Sequence, residues 1–158
     1  MTGEDEGGAV QIVGDACLWA RAHPAFFFSQ GQPCVQALKE MLLTGARTLC
    51  TGLVGDLSVG DWCVVAAQDD WFSLGAGGQT GRSLFHHLHA FPELGQNCSR
   101  PEFLVYAFAA DVASLGPEGG NTVKGDIDFA VSAVWATIQV EGWQRAVAFR
   151  GLDASTQP

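Results

Sequence analysis

Basic side chains are scarce in this chain. Its 158 residues hold two lysines, Lys39 and Lys124, and 8 Lys+Arg in all against 17 Asp+Glu, a formal net charge of −9 with neutral histidines. The arginines are scattered, so no basic patch offsets a field that repels phosphate backbones. Nucleic acid is thereby excluded as a partner. Paired cysteines are missing too. The five cysteines (Cys17, Cys34, Cys50, Cys63, Cys98) include no CxxC. Their odd number and spacing argue against a disulfide framework and against a structural zinc knuckle. No apolar run approaches the roughly 20 residues of a membrane span. Residues 1–8 are acidic and glycine-rich, the opposite of the basic start of a secretion signal. These absences predict a cytoplasmic protein, off the membrane, with reduced thiols acting as small apolar fillers and no cofactor.

What is present is apolar bulk. Hydrophobic residues make up 47% and charged residues 16%, too apolar for a disordered chain. A chain of this length buries roughly two-thirds of its unfolded surface without needing disulfides or metal. One domain over residues 10–151 is expected, with flexible tails at 1–9 and 152–158. Five Trp and ten Phe exceed what one small core requires. Part of that aromatic surface is expected to face a partner, a second copy of the chain, or a pocket.

Turn and cap residues divide the chain. Asp15 suits the N-cap of a short helix through Ala22, ended by Pro24. A second helix is expected from Pro33 to Gly45, with Val35, Leu38, Met41 and Leu42 at helical spacing. Arg47–Val54 then reads as a short strand, and Trp62–Ala67 as one apolar on both faces and therefore covered on both. Gly75–Gly81 is a glycine-rich loop. Residues 99–116 are ambiguous. Ser99 with Glu102 forms a capping box and favours a helix, whereas Phe103-Leu104-Val105-Tyr106 suits a buried strand equally well. Val123–Val140 reads as a long strand that turns at Glu141-Gly142 and returns over Trp143–Arg150 as a hairpin. No repeat or heptad is visible. The order predicts an α+β fold, an antiparallel and curved sheet with helices packed on one face, compatible with a cone-shaped roll.

Several groups carry chemistry. His86, His87 and His89 follow the glycine loop. His87 and His89 on a strand, or His86 and His89 on a helix, suit a divalent metal with Glu93, Asp69 or Cys98 completing the shell, but the spacing matches no zinc signature, and solvated or backbone-bonded histidines are the simpler reading. Asp69-Asp70-Trp71 ends the apolar strand; the acids suit either a pocket base or the capping of a turn. Arg82 and Arg100 flank the histidines and suit a carboxylate ligand or pairing with Glu93 and Glu102. Gly81-Arg82-Ser83 echoes a P-loop, but position 76 is alanine and the lysine is absent, so that reading fails. No GxSxG marks a nucleophile. Cys98 beside Arg100 is the cysteine best placed for activation.

Two functions of different class follow. The first is a small acidic binding protein without catalysis, of the immunity or antitoxin type, that docks a basic protein. The second is a small-molecule pocket protein, or a small enzyme of proton transfer or hydrolysis, on a curved sheet. Its candidate site is Trp62, Asp69, Asp70, Trp71, His87, His89, Arg100 and Trp135. A homodimer that covers an apolar sheet face is a third use of the same surface. The first two differ in where the acids lie: outward in a binding protein, buried beside histidine in a pocket protein.

Overall fold

The described part of the computed structural model comprises residues 16–58, 60–75, 81–125, 135–136 and 138–153. Chain order runs through helices α1 (Ala16–Ala22) and α2 (Val35–Leu49) to strands β1 (Val54–Asp56) and β2 (Cys63–Ala67). Helices α3 (Gly81–His86) and α4 (Glu102–Phe108) follow, then strands β3 (Ala109–Gly116), β4 (Gly119–Lys124) and β5 (Arg145–Leu152). Residues 135–136 and 138–140 are helical as well. All pairings are antiparallel, and the strand order is β1-β2-β5-β3-β4, an open sheet in an α+β fold. No helix among the described residues is long and apolar enough to cross a membrane.

Helix α2 forms because Leu38, Leu42, Leu43 and Ala46 recur on one face and are buried, while Gln36, Glu40, Thr44 and Arg47 face outward. It does not stop at Gly45, as the sequence suggests, but runs on to Leu49, so of the strand expected over Arg47–Val54 only Val54 is extended, and β1 runs on through the expected turn residues Gly55 and Asp56. Gly45 serves close approach instead of termination. A Cβ there would sit 3.1 Å from Pro101 Cγ, which is how α2 and the start of α4 come together. The ambiguous stretch resolves into both readings in turn. Residues 102–108 are helix, and the chain becomes extended at Ala109 to give β3.

β2 is interior and buried on both faces, as its composition demands. Val65 and Ala67 join Val112, Val147 and Phe149 in the main core, under Leu38, Leu42, Phe72, Phe85 and Phe108. Val64 and Ala66 join Ala113, Leu115, Ala146 and Ala148 on the opposite face. That second face is covered by Trp135 and Ile138 with Leu57, Trp62 and Trp143 at its edge, so helical residues lie on both sides of the sheet.

The long hairpin is not formed. β4 ends at Lys124, and β5 pairs with β2 and β3, not with β4. Residues 126–134 of the expected strand lie outside the described residues. Trp135 and Ile138 are buried at i, i+3 spacing, a helical repeat that the strand reading overlooked. A tight hairpin instead joins β3 to β4 at Gly116↔Gly119. Glu141-Gly142 closes the helical residues instead: Glu141 N–H donates to Ile138 O at 3.1 Å and Gly142 N–H to Gln139 O at 3.0 Å. Gly142 has φ +89°, a left-handed position that lets the chain leave the helix toward β5. Gly142→Val should therefore lose about 1–2 kcal/mol through backbone strain alone, since nothing crowds the site. An unchanged denaturation midpoint would contradict the turn.

Leu152 and Asp153, expected in a flexible tail, are held by the fold, and residues 154–158 lie outside the described residues. Leu152 pairs with Ala109, and Asp153 N–H donates to Phe108 O at 2.8 Å. The Asp153 carboxylate then holds Lys124 Nζ at 2.8 Å and Arg21 Nη2 at 3.0 Å, which ties the end of β5 to α1 and β4.

Candidate functional site

β2 ends at Ala67, and the two acids after it go separate ways. Asp69 turns back toward the α2–β1 connection, where its Oδ2 accepts from Thr51 N–H and Gly52 N–H, both at 2.9 Å. The Gly52 and Thr51 amides hold its carboxyl below the usual aspartate range. Asp70 accepts from Phe72 N–H at 3.3 Å, which caps the helical turn Trp71–Ser73, and binds Arg145.

Arg145 organises this end of the sheet. Its Nε and Nη2 reach Asp70 Oδ1 and Oδ2 at 2.8 and 3.0 Å, a two-pronged pair. Its Nη1 reaches Glu118 Oε2 at 2.8 Å and Ser114 Oγ at 3.3 Å, and the guanidinium lies 4.3 Å over the Phe72 ring. Burial opposes the charge, yet the bonds to Asp70 and Glu118 outweigh it and raise the guanidinium pKa further. Neither Arg145 nor Glu118 was singled out in the sequence. A signal existed: Arg145 shares its strand phase with Val147 and Phe149, so it stands at a core-facing position.

Trp71 and Arg100 meet in a second, buried network. Trp71 Nε1 donates to Glu102 Oε2 at 2.8 Å, and Arg100 Nε lies 3.5 Å from Glu102 Oε1. The Arg100 guanidinium also donates to Trp71 O at 3.2 Å and Leu74 O at 3.3 Å, and lies 5.4 Å from the Phe91 ring centre. Those bonds commit the arginine that was expected beside Cys98. Arg100 takes Glu102, one of the two acids flagged for it; the Arg82 side chain lies outside the described residues, as do residues 76–80 of the glycine loop.

The histidines divide. His86 ends α3 and sets its ring edge-on to Tyr106, 4.5 Å between centres. His87 and His89 remain together, with rings 6.4 Å apart, and His89 Nε2 hydrogen-bonds Ser83 Oγ at 3.0 Å. Among the described residues no group of three or more His, Cys, Asp or Glu is arranged to hold a metal ion.

Trp62 and Trp135 belong to the other face of the sheet, across it from Trp71 and Arg100. Arg150 lies 4.4 Å over the Trp62 ring and binds Asp111 at 2.8 Å. The eight candidate residues thus fall into separate neighbourhoods: Trp71 with Arg100, Asp70 beside Arg145, Asp69 at a turn, His87 with His89, and Trp62 with Trp135. None of the five cysteines is placed in a disulfide. Burial, then Asp69 and Asp70, push the Cys50 thiol up to about 11, far from thiolate reactivity at neutral pH.

Among the described residues, aromatic side chains reach the surface at the end of α1. Trp19 on α1 stacks on His23 at 4.3 Å and meets Phe26 and Phe27 edge-on at 5.4 and 6.1 Å. Leu18 and Phe26 on this ridge are 61% and 66% exposed. Comparison of the chain with protein-family models, with curated proteins and with solved structures finds no match.

Proposed function

We propose that this protein is a binding module without catalytic activity that docks a basic protein, in the manner of an immunity protein or antitoxin, in a reducing cytoplasm. The allocation of charge carries the reading. Arg21, Lys39, Arg100, Lys124, Arg145 and Arg150 each hold an acid within the fold, and of the basic side chains described only Arg47 has no acid partner. Glu40 and Glu141 are exposed and pair with no described basic side chain. The one fully buried acid among the described residues, Glu102, lies beside Arg100 and Trp71, not beside a histidine. With the cations so engaged, the surplus of −9 acts on the surroundings. Such a field steers cationic partners and speeds their encounter.

The Leu18–Trp19–Phe26 ridge supplies the contact that a field alone cannot. Interfaces anchor on a few exposed aromatic and apolar side chains, with charge around them setting rate and specificity.

Affinity capture from the source cells, with the wild type beside Leu18→Asp/Phe26→Asp, tests the proposal. The expected result is a basic partner whose association rate falls more than about tenfold between low and roughly 0.5 M salt, and which the double variant does not retain. A retained acidic partner, or retention indifferent to salt and to the substitutions, would sink it. Light scattering over a concentration series identifies the competing occupant: a ridge that pairs with a second copy gives a dimer mass, lost in the double variant.

A further inference from the structure

We infer that the cleft between α2 and the start of α4 is a binding site for a small organic cation, a primary amine carried on an apolar body about the size of one aromatic ring with a short chain. This goes beyond the docking of a protein and uses none of the residues invoked for the ridge. The cleft has a volume of about 250 Å³ and is lined by Glu40, Met41, Thr44, Leu94, Ser99, Pro101 and Leu104.

The cleft follows from local sequence. Gly45 brings α2 against Pro101 at one end, where an added Cβ would stand 3.1 Å from the ring. One turn earlier on α2 stand Glu40 and Met41, and the opposite wall comes from Leu104 and from Leu94 in the turn between the isolated bridge residues Ala90 and Ser99. Met41, Leu94, Pro101 and Leu104 make the walls apolar. Size sets the body of the ligand: a cavity of roughly 150 Å³ accepts benzene, so this one holds a ring and a short alkyl chain.

Charge sets the head group. Among the described residues Glu40 belongs to no ion pair, and its Oε2 receives Gln36 Nε2 at 2.9 Å. A carboxylate at the edge of an apolar cleft favours a cation and disfavours an anion, and the net charge of −9 acts in the same sense. The hydroxyls of Thr44 and Ser99, which also line the cleft, are further acceptors for the three N–H donors of a primary ammonium.

The test is a protein-observed NMR titration of the full chain near pH 7 with phenethylamine, with 2-phenylethanol as neutral isostere and 3-phenylpropionate as the anion. Phenethylamine is expected to bind with a Kd on the order of 1 mM or tighter, shifting residues 40–45 and 94–104. The alcohol should bind about tenfold more weakly at the same residues, and the anion more weakly again. Glu40→Gln, an exposed position, should bring the amine to the level of the alcohol and leave the alcohol unchanged. Met41→Trp and, at the exposed rim, Thr44→Phe should remove binding of both by filling the space. The inference is overturned if phenethylamine does not bind, if all three probes bind alike, if the shifts fall outside the cleft, or if Glu40→Gln leaves the preference for the amine intact.

Discussion

Glu102→Ala should remove about 3–5 kcal/mol of folding stability, because it leaves an uncompensated guanidinium inside the protein. Arg100 and Glu102 are each only 1% exposed. In the native fold the carboxylate faces Arg100 Nε at 3.5 Å and receives the Trp71 indole at 2.8 Å. Once it is gone, two backbone carbonyls and the Phe91 ring are what remain around the charge, and the Trp71 donor loses its acceptor. Against a total of roughly 5–15 kcal/mol for a domain, such a loss leaves the variant near its midpoint at room temperature or well below the wild type. Urea unfolding followed by tryptophan fluorescence measures it. Glu102→Gln should lose less, since an amide oxygen still accepts from Trp71. Arg100→Met combined with Glu102→Leu should recover part of the deficit, because an apolar pair of similar volume removes the buried charge, while the Trp71 indole and the Trp71 and Leu74 carbonyls still lose their partners. If Glu102→Ala unfolds within about 1 kcal/mol of the wild type, water reaches the pair and the network is not a core element.

Parts of this architecture were legible because one physical rule acted alone. α2 shows a single apolar stripe of 3.6 spacing, and β2 is apolar on both faces and is buried on both. Where two rules compete, the sequence misleads. Ala107, Ala109, Ala110 and Ala113 favour a helix by propensity, yet the last three lie in β3, where small side chains leave room for what crosses the sheet. Gly45 looks like a helix end and is a contact with Pro101, which no local pattern reveals. Asp70 was visible as a candidate, but its partner Arg145 is 75 residues away and is brought to it by β5. Pairings across such distances depend on topology. A pattern of alternation cannot supply topology, so candidate residues could be named one by one but their neighbours could not.

Trp135→Ala should cost about 3–5 kcal/mol as well, and it decides whether the second face of the sheet is core or pocket. The indole is 4% exposed and lies over Val64, Ala66, Ala113, Leu115, Ala146 and Ala148. Four of those six are alanines, which have no side chain long enough to move into the space that the ring vacates. The cavity therefore persists, and the loss belongs at the upper end of the range. The indole N–H is buried without a hydrogen-bond partner among the described residues, so Trp135→Phe removes an unsatisfied donor together with part of the ring. Those two effects oppose each other, and the phenylalanine variant should stay within about 1.5 kcal/mol of the wild type. Phe26→Ala supplies the contrast. At 66% exposure it should change stability by less than about 0.5 kcal/mol, and under the proposed function it should weaken partner docking. Denaturant midpoints at constant slope separate the two kinds of aromatic residue. If Trp135→Ala proves as mild as Phe26→Ala, the ring covers nothing, and the second face is open to a ligand or to a second copy of the chain.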